Sequence, residues 1–313
     1  MLKRVFMAAS LAAFMVAPAA YAQQSADEPF LDPIFGERPK RSQDQEIRPM
    51  NDDEFDEPQG WSPFRGFVGL FTLLVPESTN LSLGVGPAYR PDYFGSDDYE
   101  FRPDPQVFLK VKNFLFFDDD GADLALFGFS GVAIGPSVRV AGRRRERDNP
   151  ALHGLGDIGY TFEAGGFVAA TILNRVLVRG KIRKGLAGGH DGLIIDGAGT
   201  VMLYSSPRFS TSLSGHVAWV NGDYADTFFT VNEDQAAASG LPLYNASAGF
   251  RDVGGSLNAY VNIGERWSVN PYVSYRRIFD GFAETPIIDQ YGSRNQFIVG
   301  FHLMREFSFS FIN

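Results

Sequence analysis

The chain has 313 residues, 34 glycines, 29 phenylalanines, 12 tyrosines, no cysteine and a formal charge of −9. Without cysteine there can be no disulfide, no thiolate metal site and no lipid-modified N-terminal cysteine, and a negative chain is a poor match for nucleic acid, which needs a basic surface. Abundant glycine and aromatics suit strands and tight turns better than helices.

The first residues read as an export signal. Lys3 and Arg4 precede an uncharged apolar run, Val5 to Val16. Pro18 breaks that run, and Ala20-Tyr21-Ala22 supplies the small-x-small pattern for cleavage after Ala22. The run is too short to span a bilayer as a helix, and no later segment is long and apolar enough to do so. Residues 23–60 differ in composition from the remainder of the chain: eleven acidic residues, four basic and five prolines. They are expected to form a disordered, acidic periplasmic segment.

From Phe64 onward the hydrophobic period is two. Val132, Ile134, Val138 and Val140 alternate with Ala133, Gly135, Ser137 and Arg139. Val176, Val178 and Ile182 alternate with Arg175, Arg179, Lys181 and Arg183. The same holds for Phe209, Leu213, Val217 and Trp219, for Leu257 to Ile263, and for Phe297 to Leu303. Such alternation gives each strand one apolar and one polar face. It fits a soluble sandwich as well, but two features favour a membrane barrel. Phe209 and Trp219 lie ten residues apart on one face, roughly 25 Å of height at about 3.3 Å per residue and about 40° of tilt, the size of an outer-membrane apolar band with its aromatic girdles. Connections also alternate in length: 142–156, 221–245 and 281–294 are long, 171–174, 205–207 and 264–266 short, and 185–192 intermediate. Outer-membrane barrels have short periplasmic turns and long external loops.

The expected fold is therefore all-β: one antiparallel transmembrane outer-membrane β-barrel over residues 61–313. Starting at Phe64 gives twelve strands, with ten as the alternative, but puts the long connection 91–100 on the short-turn side. Starting at Leu81 gives an odd eleven. Pro87, Pro136 and Pro271 fall inside proposed strands, and each is expected to mark a bulge or a strand end.

Four groups of residues carry candidate chemistry. In Gly188-Gly189-His190-Asp191-Gly192, the adjacent His and Asp could serve acid–base chemistry or hold a metal. Adjacent strand residues point to opposite faces, however, and a glycine-rich turn explains the glycines, so a structural loop is the preferred reading. Arg175, Arg179, Lys181 and Arg183 form a basic lumen face, either attracting anions in an open pore or locked to carboxylates of facing strands. Arg143, Arg144, Arg145 and Arg147 lie in a long loop and could contact lipopolysaccharide phosphates, or simply be solvated. Asp97, Asp98, Asp118, Asp119 and Asp120 match no calcium-loop spacing and read as ordinary acidic loops. His153, His216 and His302 show no ligand spacing. No catalytic, cofactor or metal site is expected.

Several segments resemble the MipA/OmpV family, the MltA-interacting outer-membrane proteins. They are GVGPAYRPDYFGSDDYEFRPDP at 84–105, GLGD at 154–157, GLAGGHDG at 185–192, DTFFTVNEDQAAASGLPLYNASAGFRDVG at 226–254, WSVNPYVSYRRI at 267–278 and GSRNQFIVGF at 292–301. The resemblance implies an outer-membrane barrel. It also implies a non-catalytic scaffold or interaction protein with a periplasmic murein transglycosylase and a murein synthase as partners, although other members are linked to adhesion or small-solute passage. A narrow pore for small solutes and a lipid-modifying barrel enzyme stand as alternatives. The family usually ends on an aromatic that aligns with Phe307, whereas six residues follow here. Phe309 and Phe311 keep the alternation, which suits a longer last strand.

Overall fold

A computed structural model describes residues 79–309, apart from 112–114, 119–120, 130–131, 173–174 and 207. The expected signal segment, the acidic stretch 23–60 and any strand at 64–75 lie outside the described residues. The strands, in chain order, are β1 Thr79–Pro91, β2 Tyr99–Val111, β3 Leu115–Asp118, β4 Gly121–Leu124, β5 Phe127–Phe129, β6 Val132–Ala141, β7 Thr161–Ile172, β8 Val176–Gly188, β9 Leu193–Ser205, β10 Phe209–Val220, β11 Gly249–Asn262, β12 Trp267–Ile278 and β13 Asn295–Phe309. Each pairs antiparallel with its neighbours, and β1 closes on β13 through pairs such as Leu83↔Arg305 and Tyr89↔Val299. Both β4 and β5 pair with β6, so they act as one interrupted strand and the closed barrel has twelve staves among the described residues.

Among the described residues the count of twelve staves begins at Thr79, and residues 115–129 supply two short ones. This moves the connection 92–98 to the same end as 142–160, 189–192, 221–248 and 279–294. Apart from the short β3–β4 connection, the short turns then lie at the other end, together with the start of β1 and the end of β13. The last strand continues past Phe307 to Phe309, which pairs with Thr79.

The prolines behave differently from one another. Pro136 coincides with the β4–β5 break, where Gly135 lies so close to β4 that an added Cβ would sit 1.8 Å from the Leu124 carbonyl oxygen. Pro87 and Pro271 correct the expectation of a bulge or end. Pro87 stays paired with Pro103, and Pro271 with Phe301. Beside Pro271, the Asn270 side-chain amide donates to the Ala259 carbonyl at 2.8 Å, supplying a donor on the side where proline has none.

Side chains alternate across the wall as the sequence pattern requires. Val178, Ile182, Leu213 and Phe209 point out and are exposed, while Lys181, Arg183, Ser212 and His216 point into the lumen. The exterior carries exposed large apolar residues on nearly every strand, among them Val85, Phe101, Val140, Val168, Leu203, Phe250 and Val299. A belt of that extent has lipid as its natural solvent. Aromatics crowd its two rims, with Tyr204 beside Phe209 near the short turns and Tyr275 beside Phe297 near the long loops.

The apolar core lies above the barrel, not within it. The long loops carry α1 Gly222–Phe229, α2 Glu233–Ser239, α3 Asp280–Ala283 and α4 Pro286–Tyr291. Tyr224, Ala225 and Phe229 of α1 pack with Leu152, Leu155, Val231, Leu241, Phe282, Ile287 and Ile288, and the cluster rests on Ile194, Val220 and Ile278 at the strand tips. Each fully buried Leu, Ile or Phe is worth about 1.5–3 kcal/mol, so the loops form a cap with a core of its own. Polar contacts pin the cap. Asn221 and Asn232 cap the two longer helices, and Gly240 ends α2 in the left-handed conformation. Thr285 Oγ1 donates to the Phe229 carbonyl at 2.6 Å, and Gln235 Nε2 to that of Leu155 at 2.8 Å. No helix of the described residues is long and apolar enough to cross a membrane.

Candidate functional site beneath the cap

The inward faces of the strands bring charges together under the cap. On one side of the lumen, Lys181 Nζ lies 2.9 Å from Asp123 and Arg179 3.7 Å from the same carboxylate. Two residues further up β8, Arg183 donates to Asp196 at 2.7 Å and lies 3.4 Å from Glu163. Arg175 stands in the short turn before β8 and is exposed. Three of the four expected lumen cations thus meet carboxylates of neighbouring or facing staves, the locked arrangement of the two considered.

A second cluster surrounds Asp252 on β11. Arg251 Nε donates to it at 2.6 Å, Arg276 Nε lies 3.2 Å away and His216 Nε2 also 3.2 Å. Arg251 also donates to the Tyr224 hydroxyl at 2.8 Å, and its guanidinium lies over the Phe94 ring, as does that of Arg276. This cluster therefore joins wall to cap. A third cluster sits on β2, β12 and β13, where Asp104 accepts from His302 at 2.9 Å and from the Tyr272 hydroxyl. Tyr272 in turn stacks on His302 at 5.0 Å.

His190 is buried where the first cluster reaches the cap. Its Nδ1 accepts from the Gly192 amide at 3.2 Å, so its Nε2–H faces Glu163 at 3.1 Å. Its ring packs edge-on against Tyr224 and Phe228. Asp191 is exposed and takes no part. The glycines are required by close approach: Gly188 has φ of 108° and a Cβ there would meet the Tyr160 carbonyl oxygen at 1.9 Å, while one at Gly192 would meet Tyr224 at 2.4 Å. The segment is a tight wall-to-cap joint, as the turn reading expects, and it has drawn one histidine into the ion-pair network.

Three of the four histidines thus meet lumen carboxylates, a grouping their sequence spacing does not reveal. A signal was available: Glu163, Lys181, Arg183, Asp196, His216, Asp252 and Arg276 all occupy inward parity, all but Lys181 in the long-loop half of their strands. Which of them touch depends on how the staves are staggered.

The arginine run divides. Arg144 turns inward, its Nη1 donating to the Phe228 carbonyl at 2.9 Å, and burial pushes its guanidinium down to about 10. Burial likewise pushes the nearby Tyr93 phenol up to about 12. Arg145 pairs with Asp148 at 2.8 Å, and this bond raises the one group and lowers the other. Arg143 and Arg147 are exposed, and Arg143 lies 5.1 Å over the ring of Tyr160. Asp98 and Asp92 accept from Asn149 at 3.4 and 2.5 Å. Asp119 and Asp120 lie outside the described residues. Among the described residues no group of three potential ligands surrounds a metal position.

A family model described as MltA-interacting protein MipA matches residues 83–307. No curated protein matches the chain. Among solved structures, a bacterial polysaccharide outer membrane secretin is 10% identical, with 75% of this chain and 99% of that one covered and a TM-score of 0.37. An outer membrane channel from Pseudomonas putida is 9% identical, with 74% and 96% covered and a TM-score of 0.37. The translocator domain of the autotransporter NalP from Neisseria meningitidis is 12% identical, with 79% and 96% covered and a TM-score of 0.35.

Proposed function

The chain belongs to the MltA-interacting protein family, MipA, and from that premise we propose that this outer-membrane barrel is a non-catalytic scaffold that holds murein enzymes at the membrane. One observation carries the reading. The inward-facing Lys181, Arg183, Glu163, Asp252, Asn270 and His302 are each at most 3% exposed. A solute pathway through the barrel would wet these side chains. Instead they are buried and pair with neighbouring and nearby staves beneath an apolar cap, while other inward groups such as His216, Asp196 and Arg276 stay partly exposed. This weighs against the narrow pore. It also weighs against a lipid-modifying enzyme, because the three histidine–carboxylate pairs face the lumen, away from lipid.

A barrel obstructed by buried ion pairs leaves its two ends for partners. By the usual rule the long loops face outward and the short turns face the periplasm, so the short-turn end, with the described turn 263–266, lies toward the murein layer. A murein transglycosylase and a murein synthase are the partners this reading names. The test is co-purification: the detergent-extracted full chain should retain both enzymes, and in planar bilayers it should give no steady channel. Steady conductance of general-porin size, with no enzyme retained, would replace the scaffold by a pore.

A further inference from the structure

We propose that the outer wall of β6–β8, just below the cap, binds the phosphorylated headgroup of a lipid A-type glycolipid. The site rests on the barrel's place in the outer membrane and is independent of the scaffold role.

The observation begins with one lysine. Along β8 the outward row runs Gly180, Ile182, Lys184, Leu186. Ile182 and Leu186 are 48% and 62% exposed, while Arg183 and Gly185 between them are buried. Lys184 is thus a cation in a lipid-facing row. Register sets it beside Ala164 on β7 and Leu193 on β9, neither of which can neutralise it. Its height explains how it is tolerated. Eight residues above Val176, it stands roughly 20 Å up an apolar band of about 25 Å, so its ammonium can reach the headgroup level by extending upward.

At that upper level the neighbouring staves present more cationic surface. Tyr160 continues the outward row of β7 above Phe162, and both rings are exposed. Arg143, following β6, lies over the Tyr160 ring at 5.1 Å. A guanidinium over a ring still has N–H groups to offer an anion. Arg147 is exposed on the same loop, and the nearby Asp148 bonds Arg145 while also lying within electrostatic reach of Arg143.

Charge and position select the occupant. Arg143, Arg147 and Lys184 present three cations, more than a single phosphodiester would balance. They lie at the long-loop rim, which faces the leaflet built of phosphorylated glycolipid. Lipid-facing Ile182, Phe162 and Val140 lie below them to receive acyl chains. An Arg fork suits phosphate bidentately, and Lys184 adds a point charge.

The test uses the full chain folded in detergent, titrated with diphosphoryl lipid A, its dephosphorylated form and phosphatidylglycerol, with bound lipid counted by native mass spectrometry. The parent should prefer diphosphoryl lipid A. Arg143→Gln with Lys184→Gln should weaken that binding about a hundredfold, about tenfold for each cation removed, while Arg266→Gln at the opposite rim leaves it unchanged. Lys184→Leu, which suits its apolar row, should fold as the parent does and bind about tenfold more weakly. The proposal fails if Lys184→Leu binds as tightly as the parent, or if dephosphorylated lipid or phosphatidylglycerol binds equally well.

Discussion

The lumen and the cap solve the same problem with opposite chemistry. Both bury side chains, yet Glu163, Arg183 and Asp252 are the buried groups of one while Phe229, Phe282 and Ile288 fill the other. The barrel wall must give its apolar face to lipid, so its inner face is left polar and must satisfy itself by pairing. The loops have no lipid to face and can fold as a small soluble domain does, around buried aromatics and aliphatics. A buried ion pair offsets its own desolvation only when both partners are present, whereas an apolar core loses stability in proportion to the volume removed.

That difference can be tested with single substitutions. Asp252→Asn should have the largest effect. It strands Arg251 and Arg276, and should cost about 3–5 kcal/mol of whole-barrel stability, read as a lower urea midpoint for loss of heat-modifiable migration. A change within error would mean the cluster is solvated, not structural. Phe282→Ala empties the centre of the cap and should cost about 3 kcal/mol. The loss should be confined to the cap: protease should cut within 221–248 while the barrel's melting is unmoved. A matching fall in barrel stability would show that cap and wall form one unit. Asn221→Ala should have the smallest effect, about 1 kcal/mol. Asn221 Oδ1 accepts from Tyr224 N and also from Leu193 N at the top of β9. Hydrogen exchange should therefore speed up at both α1 and the tip of β9, and exchange limited to α1 would break the proposed coupling.

The information legible in the sequence is local. Side chains two residues apart share a face, so alternation alone assigned Val178, Leu213 and Phe209 outward and Lys181, Ser212 and His216 inward, and loop lengths sorted the two ends from residue 131 on, while 91–100 fell at the wrong end. The strand count was legible only in part, because the pairing of residues 121–129 with β6 depends on barrel closure and on where Pro136 interrupts the ladder. The cap was not legible at all: its helices are short, and its core joins residues from 152 to 288 that meet only once the staves carry their loops together. Nor was the grouping of His190 with Glu163 or His216 with Asp252. Parity says that such residues face the lumen, but the stagger of the strands decides which stand at the same height, and only residues at the same height can pair.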